Sequence, residues 1–437
     1  MDNAYDLTTG KVSQKLIGFF FPLLLANLMQ QIYSVADTAI VGKGLGDNAL
    51  AAVGNLSSLS LLIIGFSMGM TNGFSVITAQ NYGSGDTEAL RRSVSGSVRL
   101  SALMSALLTT AGCILLRPVL DIMQTDEILI ADGLKYGYII LGGLTVTVAY
   151  NLFSGLLRSL GDSKTPFFAV MISSAVNIAL DCLLIFIFHT GVEGAAAATV
   201  AAQGLSALIC LIKLRRSHVM NYEKNISIDS DTYILLLKNG LPMACMNSVT
   251  AVGCMVVQGY VNGCGAAFTA AYSVCSKYLN LFMLPSLTAG FAVSAFVGQN
   301  YGAGKKDRIR QGVKVGNVIA FISYMLIGGT AVLLPSQLAG AMLNESNTIC
   351  MAAGFLRICG VELILLNLLF IYRNAVQGMG RPFIPMLSGI AEMVLRIPAI
   401  IILLPLIGFK ATGFAEGIAW TGALGLNFAA YMIYRQK

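Results

Sequence analysis

Charge is what this sequence has least of. Asp, Glu, Lys and Arg make up 11% of its 437 residues, whereas 56% are hydrophobic. A soluble protein of this size needs a charged surface, and this chain has too few charges to build one. Several chemical signatures are also missing. No Walker A sequence occurs, so no ATP motor of that type is expected. The stretch "GKGLG" at Gly42 is only loosely like a phosphate loop, with no strand before it and no βαβ unit after it. HExxH and GxSxG do not occur, and the two histidines, His189 and His218, fall in predicted loops on opposite membrane sides. A His-based metal centre, an enzymatic function and a cofactor are therefore not expected. There is no CxxC pair. The nine cysteines lie mostly within apolar runs and read as small packing residues, not as a disulfide framework or a zinc site. Residues 1–15 are polar and lack a small-residue cleavage site, so no removable signal peptide is expected. An ion channel would show a filter sequence, and none is visible.

What the chain does have is a succession of apolar runs of about 20 residues, the length that crosses a hydrocarbon core. Twelve spans are predicted, at roughly 16–41, 50–79, 93–116, 136–158, 166–188, 193–214, 239–261, 267–297, 312–334, 350–378, 384–407 and 411–434. The fold class is an all-α polytopic membrane protein. Forty-six glycines fit it, because small residues let membrane helices approach closely. Pro22, Pro285 and Pro398 lie inside spans and are kink candidates. The net charge of +7 does not point to nucleic acid, because the basic residues sit in short loops between spans. Loops holding Arg91 and Arg92, Lys164, Lys213 to Arg216, Lys305 to Arg310, and Arg381 alternate with poorer ones. The loop from Arg117 to Lys135 instead holds Asp121, Asp126, Glu127 and Asp132. By the positive-inside rule both termini are cytoplasmic, in the cell (inner) membrane.

The two halves of the chain echo each other. "AQNYGSGDTEALRRS" starts at Ala79 and "GQNYGAGKKDRIRQG" at Gly298, so Gln80 and Gln299 stand 219 residues apart. Gly161 in "RSLGDSKTP" and Gly380 in "QGMGRP" repeat that offset of 219. Two matches at one offset predict a duplicated six-span unit with parallel topology. The expected organisation is an N-lobe over residues 1–214, a cytoplasmic linker over 215–238 and a C-lobe over 239–437, pseudo-symmetric around a central cavity. The linker region "KLRRSHVMNYEKNISIDSDTY" has room for an amphipathic helix on the membrane surface.

Polar residues recur inside the spans at helical spacing. Asn27, Gln30, Ser34 and Asp37 share one face of the first span. Thr147, Asn151, Ser154 and Arg158 do so in the fourth, and Ser174, Asn177 and Asp181 in the fifth, with Thr199 early in the sixth. A charged side chain in hydrocarbon costs at least about 2.5–3.5 kcal/mol, so these stripes should face a shared interior. The C-terminal half carries amides, Asn247, Gln258, Asn367, Asn374 and Gln377. Its acids Glu362, Glu392 and Glu416 read as structural, Glu392 pairing with Arg396 four residues on. The expectation is an acidic, ion-coupling N-lobe and an amide-rich C-lobe.

Four stretches, "FPLLLANLMQQIYSVADTAIVGKGL", "AQNYGSGD", "GLLRSLGDSKTP" and "NIALD", occur in this order. Together they resemble the bacterial branch of the multidrug and toxic compound extrusion family, over essentially the whole chain. The resemblance implies efflux of drugs, dyes and toxins, small and often cationic, by antiport against H⁺ or Na⁺, with a role in antibiotic resistance. It implies a monomer in the bilayer that binds small organic cations and no nucleic acid. It carries a coupling role to Asp37, Asn177, Asp181, Thr199 and Asn151, with Na⁺ as one candidate ion at Asp37 and Asp181. Asn27, Gln30, Tyr33, Gln258 and Asn374 are the expected substrate-cavity residues, and Pro22 the point where the first helix bends. The acidic pair that some members carry in the seventh and tenth spans has no match, because the seventh span here has no acid. The alternative is a flippase of the same broad superfamily for lipid-linked or polysaccharide precursors. Its cavity would need clustered basic residues, for which Arg99, Arg158, Lys277, Arg373 and Arg396 are the candidates.

Overall fold

The computed structural model describes residues 6–122, 127–217 and 228–435. His218, Asp126 and residues 218–227 of the linker lie outside the described residues. Within them the chain is helical, and no strand occurs among them. The elements are α1 (Val12–Leu45), α2 (Asp47–Ser84), α3 (Thr87–Ile122), α4 (Glu127–Gly142), α5 (Leu144–Ser159), α6 (Lys164–Cys182) and α7 (Gly191–Arg216), then α8 (Ser230–Asn262), α9 (Ala266–Gly302), α10 (Lys306–Ser323), α11 (Gly329–Leu333), α12 (Pro335–Gly340), α13 (Ser346–Gly378), α14 (Phe383–Ile407) and α15 (Lys410–Tyr434). A π-helical segment, Leu183–Ile187, extends α6, and a second, Tyr324–Gly328, joins α10 to α11.

Ten helical stretches are long and apolar enough to cross a bilayer, eleven if the bent pair α4–α5 counts as one span. The expected twelfth span is α15, a 25-residue helix whose apolar character is diluted by small residues and by Glu416. The fourth span breaks at Gly142 and Gly143, where the two helices meet at 43°. A side chain at position 143 would strike Val200 of α7, so this glycine permits a close approach as well as the bend.

The repeated motifs are explained locally. Gly161 and Gly380 both take positive φ, 91° and 74°, the left-handed conformation that ends a helix at low cost only for glycine. Asp162 then caps α6. Its carboxylate accepts from the Lys164 and Thr165 backbone N–H groups at 3.1 and 3.0 Å. Asp86 caps α3 in the same manner, through Glu88 and Ala89 at 3.1 and 2.9 Å.

The chain divides into two compact units. One comprises Met1–Asp6 and Phe21–Ala244, the other Leu7–Phe20 and Cys245–Lys437. The division falls inside α1 and inside α8, not in the linker. Pro22 and Pro242 lie within three residues of the two crossing points. Each is followed five residues later by an asparagine, Asn27 and Asn247, a third echo between the halves.

In the first unit, α2 lies directly on the N-terminal half of α8. A Cβ at Gly69 or Gly73 would collide with the α8 backbone at Ala244 or Asn239. Its core gathers Phe74, Leu152, Leu156, Leu157 and Leu214. In the second unit, α13 is the central helix, and Phe355, Leu363, Leu369 and Trp420 fill the core around it.

The lead-in to α1 is held within the second unit by the "QNYGAGKKDR" motif. Leu7 N–H donates to Gln299 Oε1 at 3.0 Å, and Asn300 Nδ2 donates to the Leu7 carbonyl at 3.2 Å. Arg308 donates to the carbonyls of Gly10, Leu7 and Thr9 at 2.7, 3.0 and 3.2 Å. Lys305 Nζ donates to the Thr8 carbonyl at 2.9 Å.

Candidate functional site

The first unit contains a cavity of about 180 Å³ whose walls come from α1, α2, α5, α6 and α7. Of the sequence-predicted residues, Gln30 and Tyr33 line it from α1, Asn151 from α5, Asn177 from α6 and Thr199 from α7. The helical spacing that put these residues on stripes also turns the stripes inward. Tyr33 and Gln30 share a hydrogen bond. Thr147 Oγ1 donates to Gln203 Oε1, tying α5 to α7, and Ser206 Oγ donates to Ser173 Oγ at 2.6 Å, tying α7 to α6.

Asp37 and Asp181 stand side by side next to this cavity, on α1 and α6. Asp181 is fully buried and Asn177, one turn before it, is 1% exposed. Among the described residues no donor reaches either oxygen of Asp181, the buried Oδ1 of Asp37 or Asn177 Oδ1, and Asn177 Nδ2 finds no acceptor. Two carboxylates in a low-dielectric setting repel each other, and an unpaired one is costly there. A proton or a cation between them removes both costs. The oxygens of Asp37, Asp181 and Asn177 are hard donors suited to an alkali ion. The acids are only two, and no group of three or more His, Cys, Asp or Glu arranged for a metal occurs among the described residues. Arg99, a conceivable tertiary partner for Asp181, instead donates to the Tyr233 hydroxyl at 3.3 Å.

One turn beyond the acids both helices become apolar. Val41 follows Asp37 by four residues and Ile185 follows Asp181 by four, and the two pack together with Ala195. Ile185 lies in the π-helical segment, which starts two residues after Asp181. Such segments are frequent at functional sites. Tyr136 of α4 packs against this apolar cluster and lies close to Asp37, Asp181 and Tyr33.

Gln203, Ser206 and Tyr136 are among the participants that escaped the sequence reading. Gln203 and Ser206 continue the Thr199 stripe at spacings of four and three, and extending that stripe would have found them. Tyr136 gave no such signal, because the bend at Gly142 and Gly143 breaks the register between it and Thr147.

Not every expected residue gathers here. Asn27 does not line this cavity. Gln258 and Asn374 belong to the other unit. Gln258 Nε2 donates to Asn262 Oδ1 at 2.7 Å, and Asn374 is buried with Nδ2 donating to the Phe370 carbonyl at 2.9 Å. Pro22 is within α1, close to the unit boundary.

Two of the C-lobe acids expected to be structural are paired, and more widely than within one helix. Arg396 does approach Glu392 at 3.6 Å, but it lies closer to Glu416, at 2.9 Å, while Arg373 pairs with Glu392. The partners come from α13, α14 and α15. Only the pair within one helix could be read from spacing.

A sequence model of the MatE family matches residues 22–183 and again residues 242–402. The chain is 31% identical over 353 residues to the probable multidrug resistance protein YoeA of Bacillus subtilis, a match covering 78% of this chain and 75% of that protein. It is 27% identical over 433 residues to the probable multidrug resistance protein YpnP of the same organism, covering 99% and 97%. Its fold matches a crystal structure of MATE in the bent conformation with a TM-score of 0.93, over 100% of this chain and 98% of that one, at 21% identity.

Proposed function

This chain belongs to the multidrug and toxic compound extrusion family, and on that premise we propose that it exports small amphipathic cations by antiport with H⁺ or Na⁺. Asp37 and Asp181 are the coupling pair, with Asn177, Thr199 and Asn151 supplying polar atoms around them. Gln30 and Tyr33 face substrate in the cavity of the first unit. Asn27, Gln258 and Asn374 contact substrate on the rest of its path. The ion and the organic cation compete for one negative centre, which makes their antagonism reciprocal. Alternating access of the two lobes, with bending of α1 at Pro22, carries the change across the inner membrane. The protein works as a monomer with both termini in the cytoplasm.

The observation that carries this reading is a pair of adjacent acids in which the buried Oδ1 of Asp37 and both oxygens of Asp181 meet no donor among the described residues, beside a cavity lined in part by polar side chains. The flippase reading is less well supported. Two of its candidate basic residues, Arg373 and Arg396, are engaged by Glu392 and Glu416.

The test uses purified protein in vesicles loaded with a fluorescent organic cation. A pH gradient and a Na⁺ gradient are imposed separately. One of them is expected to drive transport in the wild type. Asp37→Asn and Asp181→Asn are expected to insert normally and to respond to neither. Full gradient-driven efflux by both variants would overturn the proposal.

A further inference from the structure

One end of the second unit carries cations and tyrosines that the acids and cavity of the first unit leave unused. Three helices meet there, where α10 begins and α13 and α15 end. Arg310 of α10 and Arg435, just past α15, both lie close to Tyr431. The Arg435 guanidinium stands 6.0 Å from the Tyr431 ring centroid. Tyr431 is buried and packs at 5.3 Å against Tyr372 of α13, which meets Phe428 edge-on at 5.0 Å. Asn317 of α10 donates to the Tyr372 hydroxyl at 3.0 Å, so all three helices fix this aromatic floor. Two more cations stand nearby. Lys314 follows Arg310 by one turn, and Arg381, between α13 and α14, covers the Tyr434 ring at 4.9 Å.

These charges are not spent on the fold. Lys314, Arg381 and Arg435 have no acidic partner among the described residues. Arg435 Nε is buried and meets no acceptor there. Arg310 pairs only with Asp307 of its own helix, at 3.5 Å, and stays 45% exposed. Such exposed pairs contribute little. Further along the same helices the surface turns apolar, with Val318 and Phe321 of α10 and Phe428 and Ile433 of α15 exposed. Cations, then tyrosines, then apolar side chains follow the order of a phospholipid, from phosphate through glycerol to acyl chains.

The 219-residue repeat gives an internal control. Arg310 and Arg435 correspond to Arg91 and Arg216 of the first unit. Lys314, Tyr372, Phe428 and Tyr431 correspond to Ser95, Phe153, Ile209 and Ile212. The positive-inside tendency accounts for arginines in both units. It does not account for the lysine and the two phenols that the second unit adds.

We propose that the ends of α10, α13 and α15 form a binding site for the headgroup of an anionic phospholipid. Arg310 and Arg435 present planar donors to the phosphate, and Lys314 adds a point charge. Tyr372 accepts from Asn317, which leaves its own hydroxyl proton to donate. The acyl chains run along the exposed apolar faces of α10 and α15. A choline headgroup brings its own cation to a site already rich in cations, so net negative charge is selected. The site rests on the membrane-spanning fold and is independent of the antiport reading.

The experiment is equilibrium lipid binding to the purified full-length protein in detergent, read by native mass spectrometry. The probes are dioleoyl phosphatidylglycerol, dioleoyl phosphatidylcholine and inorganic phosphate. Phosphatidylglycerol is expected to bind at least about tenfold more tightly than phosphatidylcholine, and the Arg310→Gln, Arg435→Gln double variant to lose that preference. The Arg91→Gln, Arg216→Gln double variant removes the same charge from the first unit and should change the affinity by less than about twofold. Should the first double variant fail to fold, Lys314→Gln, on an exposed helix flank, is expected to weaken phosphatidylglycerol by about threefold. Equal weakening by both double variants would mean diffuse surface charge and overturn the proposal. So would an unchanged affinity in Lys314→Gln and the Arg310, Arg435 variant, or phosphatidylcholine bound as tightly as phosphatidylglycerol. Inorganic phosphate that binds as tightly as the lipid would mean a site for free anions and would also overturn it.

Discussion

Replacing Asp37 or Asp181 by asparagine keeps the side-chain shape and removes one of two facing acids. Each substitution is expected to abolish coupling while making the fold more stable. Two unit charges about 4 Å apart repel by about 4 kcal/mol at an effective dielectric constant of about 20. Either single variant relieves that repulsion in full when both acids are ionised and no cation is bound, and the double variant relieves it no further. The stabilities should therefore be strongly non-additive, with a coupling energy of up to about 4 kcal/mol. The assay is thermal unfolding in detergent, at alkaline pH and without Na⁺, of the wild type, both singles and the double. Both singles should melt above the wild type. The coupling cation should then raise the wild-type midpoint and leave the double variant unmoved, because only a state with a site gains from the ligand. Two single variants that melt well below a wild type insensitive to either ion would refute the reasoning. They would show that the carboxyls hold the helices together and do not hold a cation.

Gln203→Leu removes the acceptor of Thr147 inside the cavity and is expected to weaken binding of an organic cation by up to about tenfold, roughly 1.4 kcal/mol, measured by equilibrium titration. Ile185→Ala opens space behind the acids where Ile185 is 2% exposed, and should lower stability by about 2–5 kcal/mol, read from the shift in unfolding midpoint. Gly73→Val drives a side chain into the α8 backbone at Asn239 and should cost about 1–3 kcal/mol or prevent folding, checked by gel filtration of the detergent extract. Arg308→Ala removes the donor to three carbonyls at Leu7, Thr9 and Gly10, and proteolysis should then cut residues 7–10 faster than in the wild type.

The helical period carried much of this structure into view. Polar side chains three and four residues apart revealed which face of α1, α5 and α6 turns inward, because a membrane helix keeps one register over its length. The same logic stopped where the register stops. Tyr136 and Thr147 are on one span in sequence but on two helices in space. Pairing across helices was the other limit. Asp37 and Asp181 were legible as two costly acids in one lobe, but nothing in spacing says that they touch. Arg373 and Glu416 were legible as isolated charges, and only the fold joins them through Glu392 and Arg396. The boundary between units was also invisible, since the linker is polar and looks like a divide while the actual crossings lie within α1 and α8.

Those crossings have a consequence for how the protein is made. Leu7 is held by Gln299, 292 residues further along the chain. Val12, Leu16, Phe19 and Phe20 are buried and belong to the unit built by the second half. At about 5–20 residues per second, the ribosome needs roughly 15–60 s to supply the residues that receive them. The first segment synthesised is thus among the last to reach its place, and during that interval its apolar face must be sheltered by lipid, by the insertion machinery or by a chaperone. A gene split in the linker would express a first half whose opening residues have no home until the second half is supplied.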